Sequence, residues 1–190
     1  MKRYTIALIM SVMALFGLYS CKPRTPYVYR GLPKEYTLGW ENQYGKCYDS
    51  VPYNVVAVDL YSEGLTLNEQ HVIQGSGYNL FLSDIFVDST AASGSSQLVA
   101  GTYHSATSAE PYTFLPGKDY EGYPNGMYIL QIEENKVVGI QVIDSGYMVV
   151  TDTTNGFKDL QFTLYYKNSY GYTTTYTTHF QGILTPWVKQ

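Results

Sequence analysis

Histidine and cysteine are scarce in this chain, with three of the former and two of the latter in 190 residues. His71, His104 and His179 stand singly, and no His-x-His, His-Glu-x-x-His or Cys-x-x-Cys spacing brings ligands together, so no zinc site is expected. Gly-x-Ser-x-Gly elbows and phosphate-cradling glycine loops are missing too, which removes the commonest signs of acyl and phosphoryl transfer. Glu133-Glu134 is the only adjacent acidic pair, and it falls in an expected hairpin turn, where a solvated pair is the default. Basic residues are outnumbered, 12 Lys and Arg against 16 Asp and Glu, so no basic face is available for nucleic acid. There is no internal repeat and no coiled coil. These absences predict a protein without catalytic residues, cofactor or metal.

What is present begins with a leader. Met1-Lys2-Arg3 is basic, and Tyr4 to Gly17 follows without a charge. That run is shorter than the ~20 residues a membrane-spanning helix needs, so it reads as a secretory signal. Leu18-Tyr19-Ser20-Cys21 closes it and resembles the lipobox of bacterial lipoproteins, with Leu at −3, a small residue at −1 and Cys at +1. The resemblance implies cleavage before Cys21, diacylglycerol on its sulfur and acylation of the new amino terminus. Two or three acyl chains hold a protein stably on a membrane. Loss of Lys2 and Arg3 with the leader moves the net charge from −4 to −6. Cys47 is then the one remaining thiol and is expected to be small and partly buried.

Pro23, Pro26 and Pro33 punctuate the next stretch, which predicts an extended tether. The expected layout is therefore a signal peptide over 1–20, a lipidated cysteine and Pro-rich tether over 21–38, and one domain over 39–190. Asn54–Tyr61, Tyr78–Val87 and Leu98–Tyr103 alternate or run apolar as strands do. Leu65 to Ile73 fits either a helical turn or an irregular strand. From Met127 on, β-branched and aromatic runs are separated by Gly- and Asn-containing turns, the mark of an up-and-down meander. Leu160, Phe162, Leu164 and Tyr166 share one face of their strand, as do Tyr172, Thr174, Tyr176, Thr178, Phe180, Gly182 and Leu184 of the next. The fold class this predicts is all-β, an antiparallel meander forming a β-sandwich or, alternatively, an open β-barrel, with little helix outside the signal peptide.

Ser105 to Asn125 mixes three prolines with glycines and four large aromatics. A β-scaffold often presents its binding residues on such a loop, and Tyr112, Phe114, Tyr120 and Tyr123 are the candidates. Asp119, Glu121 and Asn125 supply oxygens there without the spacing of a calcium loop. Tyrosine is abundant, 21 residues, and it suits both strands and ring recognition.

The lipobox, the tether and the Tyr- and Thr-rich β body together resemble small envelope lipoproteins of the Bacteroidetes type. That implies anchorage to the outer membrane, and the Lys22-Pro23-Arg24-Thr25 start leaves either face of it open. The expected function is a non-enzymatic, lipid-anchored module that binds a glycan or protein. The alternative is a structural or assembly subunit of an envelope complex.

Overall fold

The computed structural model describes residues 31–88, 97–120 and 123–187, and among them there is no α-helix. In chain order, β1 (Glu35–Tyr36), β2 (Leu38–Gly45) and β3 (Asn54–Tyr61) precede a small hairpin of β4 (Leu65–Leu67) and β5 (Ile73–Gly75), and then the long β6 (Gly77–Val87). The middle of the chain holds β7 (Gly101–Ser105), the two-residue β8 (Thr113–Phe114) and a second small hairpin of β9 (Lys118–Tyr120) and β10 (Tyr123–Asn125). The last part is β11 (Met127–Glu133), β12 (Lys136–Val142), β13 (Ser145–Asp152), β14 (Lys158–Lys167), β15 (Thr173–Gly182) and β16 (Leu184–Pro186). The protein is all-β.

The main strands form one sheet, in the order β1-β15-β14-β13-β7-β8-β6-β3-β2-β16, with β11 added to β6 and β12 added to β11. This sheet is strongly curled into a half-barrel, and of the two expected arrangements it corresponds to the open barrel. The meander is also mixed rather than purely antiparallel. Three pairings are parallel: β1 with β15, β16 with β2, and β7 with β8. The first two have a common cause. Only Thr37 separates β1 from β2 and only Ile183 separates β15 from β16, so the start of the domain lies parallel beside its end. Tyr36 pairs with Phe180 and Gly39 with Leu184, and the curled sheet meets itself along this seam. Such a pair requires a long crossover, which here is nearly the whole domain.

A bulge in β6 divides the sheet. Asp84 has φ 51°, a left-handed conformation that Asp tolerates better than most residues, and the register with β3 shifts between Val56 and Val58. Before the bulge, β6 pairs with β11; after it, with β8.

The concave face holds the core. Val56, Val58, Leu60, Leu80, Leu82, Ile129, Leu160, Phe162, Leu164 and Phe180 are buried in one cluster, as the alternation predicts. Leu98 seals one end of it, and its N–H donates to the Glu41 carboxylate at 2.9 Å. At the other end the Tyr176 hydroxyl donates to the Pro33 carbonyl and contacts the Tyr36 hydroxyl at 3.3 Å. β3 is unusual in burying both faces, since Val55 and Ala57 on the convex side are fully covered.

Several expectations change. Tyr36 is a core residue of β1, so ordered structure begins within the stretch assigned to the tether. Leu65 to Ile73 belongs to the β4–β5 hairpin rather than a helical turn. Cys47 is exposed, because it follows the Gly45 turn out of β2. The leader with Cys21, the centre of the Asp88–Gln97 loop and Glu121 lie outside the described residues.

Candidate functional site

Of the four loop aromatics expected to bind, the structure brings two together. Tyr120 and Tyr123 are cross-strand partners at the end of the β9–β10 hairpin, and they are 55% and 79% exposed. Phe114 must be removed from the set. β8 is inserted between β6 and β7, which buries its ring completely in the core. Tyr112 turns the other way as well: its N–H donates to Phe86 and its half-buried ring packs on Tyr103 at 5.3 Å.

A more organised arrangement lies on the convex face of β2, β3, β6 and β11. Trp40 is the register partner of Asp59, Asp59 of Phe81, and Phe81 of Tyr128. Residues directly opposite in a sheet share a face, with Cβ atoms ~5 Å apart, so these four side chains make one row across four strands. All four are partly exposed. The Phe81 and Tyr128 rings are 5.1 Å apart and tilted by 39°. Trp40 extends the row toward the carboxyl end of the chain. Its ring meets His71 edge-on at 5.2 Å and Trp187 at 5.8 Å, and His71 and Trp187 are 4.6 Å apart. There the row opens on a cleft of about 300 Å³ lined by Leu38, Leu67, Ile183 and Thr185.

Asp59 is the one charged residue of β3 and the one acid in the row. Asn79 Nδ2 donates to its Oδ1 at 3.3 Å while also serving the Leu60 carbonyl at 3.2 Å, and the Tyr61 hydroxyl donates to it as well. Burial among rings outweighs these hydrogen bonds and pushes its pKa up to about 6. The Tyr61 hydroxyl is raised by burial and then by the Asp59 charge beside it. Tyr44 and Tyr128 are raised in the same order of causes, which places both phenols within electrostatic reach of the carboxylate. Among the described residues, the one ion pair is Lys158 with Asp152, and no cation pairs with Asp59.

Glu41 is the second acid held above its ordinary range, again by burial first, with the Leu98 N–H and Lys158 acting against it. It follows Trp40 in β2 and so points to the opposite, concave face. Asp59 and Glu41 are thus separated by the sheet and do not face one another across a cleft, the arrangement that paired-carboxylate hydrolysis requires.

Two other concavities are less suited to rings. A larger open groove of about 1020 Å³ lies over the Thr- and Gln-rich outer surface of β14 and β15, around Gln161, Thr163, Thr177 and His179. A smaller one of about 170 Å³ sits beside Tyr120, between Leu115, Lys118 and Asn125. Among the described residues no three His, Cys, Asp or Glu side chains are grouped to hold a metal.

Periodicity could find β3 and could assign Asp59 to one face of it. It could not find the row, because Trp40, Phe81 and Tyr128 reach Asp59 only through strand register. The one local signal was a lone acid in a strand that is apolar on both faces. No protein-family model matches this chain, and no curated protein or solved structure does either.

Proposed function

We propose that this protein is a lipid-anchored envelope module, attached to the outer membrane through Cys21, that binds saccharide rings on the Trp40–Asp59–Phe81–Tyr128 row rather than transforming them. The observation that carries the reading is the carboxylate at the centre of that row, reachable from solvent and flanked by rings on both sides. Aromatic faces take up the apolar face of a sugar, and a fixed carboxylate accepts its hydroxyl protons. The separation of Asp59 from Glu41 supports binding without hydrolysis.

The test is a screen of arrayed polysaccharides with full-length protein, alongside Phe81→Ala, Tyr128→Ala and a Tyr120→Ala/Tyr123→Ala double variant. Binding is expected to fall at least tenfold in the first two and to survive in the third, with melting temperature confirming that each variant folds. Loss confined to the double variant would move the site to the β9–β10 hairpin and overturn the assignment. Intact-mass analysis of the membrane fraction tests the anchor, since Cys21→Ser should abolish the acyl mass.

A second reading, an assembly subunit, is favoured by one feature. Among the described residues β12 pairs with β11 alone, which leaves its other edge without a strand partner there, and Val137, Val138 and Ile140 are exposed on it. A partner crosslinked through this strand and lost on Ile140→Lys would support that reading.

A further inference from the structure

The row has two properties that call for a positively charged occupant. Its rings present electron-rich faces, which attract cations as well as apolar groups. Its carboxylate is half-buried and held by Asn79 and Tyr61, both neutral, with no cation paired to it among the described residues. A carboxylate that has lost part of its hydration gains from a cation placed against it. Among the described residues the carboxylate meets neutral hydrogen-bond donors and no positive charge.

We propose that the ligand bound on this row carries an ammonium group seated against Asp59, with Trp40 on one side and Phe81 and Tyr128 on the other. This rests on the binding reading above and narrows it to an organic ammonium, such as the free amine of an amino sugar. A neutral sugar would leave Asp59 accepting hydroxyls. A carboxylated or sulfated one would set like charges together, so anionic glycans are excluded from the centre of the row.

The experiment compares three probes on full-length lipidated protein in detergent, followed by titration calorimetry and tryptophan fluorescence: a glucosamine oligosaccharide, the N-acetylglucosamine oligosaccharide of equal length, and tetramethylammonium. The first two differ in the charge that acetylation removes, and the third carries charge without a sugar. The glucosamine oligomer is expected to bind roughly tenfold or more tighter than its acetylated counterpart, the preference vanishing in Asp59→Asn. Tetramethylammonium, whose charge is permanent, should bind more weakly as pH falls from 7.5 to 5, and in a His71→Gln background, which removes the other titratable side chain packed on Trp40, this dependence should vanish in Asp59→Asn. If tetramethylammonium binds in this way and the glucosamine oligomer does not, the ammonium recognition holds and its source is other than a sugar.

Equal binding of both oligosaccharides, with loss of both in Phe81→Ala, would overturn the ammonium inference and leave the ring-binding cleft standing. Failure of all three probes, combined with a polysaccharide hit that ignores Phe81 and Tyr128, would overturn both. Asp59→Asn keeps the side-chain shape and one acceptor oxygen, and a melting curve at pH 7 confirms its fold.

Discussion

The Glu41 carboxylate accepts the backbone N–H of Leu98 at 2.9 Å inside the curled sheet, joining two residues 57 positions apart. Leu98 is buried, so this N–H has no access to water if Glu41 is withdrawn. Removing the acceptor by Glu41→Ala is expected to destabilise the fold by about 2–3 kcal/mol, the cost of an unsatisfied buried donor plus a cavity. Glu41→Gln keeps an acceptor and buries no charge, and it should match or exceed the parent's stability at pH 7. Urea unfolding of the two variants separates the hydrogen bond from the charge. Equal losses would refute the role given to the acceptor.

Asp59 makes stability depend on pH. Its folded pKa of about 6 lies above the ordinary 3.8, so between those values the folded protein holds a proton that the unfolded chain has released. Stability is therefore greatest at the acid end of that window and declines as pH rises through it, levelling off above the folded value. Glu41, also raised, adds a decline of the same sign. Asp59→Asn should reduce the slope without abolishing it and raise stability at pH 7 by up to about 2 kcal/mol. Melting temperatures measured from pH 4 to 8 would show this, and an unchanged slope would count against a buried Asp59.

The parallel seam depends on a residue without a side chain. A Cβ on Gly39 would lie 2.7 Å from both Leu184 Cδ2 and Phe180 Cζ, closer than carbon atoms approach. Gly39→Ala should therefore cost about 1–3 kcal/mol through overpacking, and Gly39→Val more. Gly45, which has nothing near its missing Cβ, offers a comparison in which only backbone strain at φ +60° is felt. Hydrogen exchange at Leu184–Pro186 should accelerate in the Gly39 variants and stay slow in Gly45→Ala.

Cys47 should react in the folded protein. It is exposed, and its thiol is held somewhat above the ordinary range by partial burial first and the nearby Asp84 charge after it. Iodoacetamide is expected to label it without denaturant, slowly at pH 7 and faster above pH 9, since the thiolate is the nucleophile. In lipidated protein one label per chain is expected, and two would mean that Cys21 is unmodified.

Much of this was legible in the sequence. Asn54–Tyr61 was bounded correctly because an apolar run between turn residues has one good solution, and Leu160 to Tyr166 assigned its own buried face because side chains alternate with period two. Of the face expected over Tyr172 to Leu184, the centre from Tyr176 to Phe180 is buried, while Tyr172 stands outside β15 in water and Leu184 belongs to β16. The loop aromatics show the limit. Nothing local separates Phe114, sunk between β6 and β7, from Tyr123, which stands in water, for both occur in the same Pro- and Gly-rich stretch.

By itself, then, the sequence determined the longer strands such as β3, β6 and β14, most of their inner faces and the all-β class, since these follow from patterns a few residues long, while the short β1, β8, β9 and β10 carried no such pattern. Tertiary structure alone decided that the first and last strands run side by side, that Cys47 is exposed, and that Trp40, Asp59, Phe81 and Tyr128 form one row. Those outcomes depend on register between distant strands and on the bulge at Asp84, and register is set by the packing of the whole sheet.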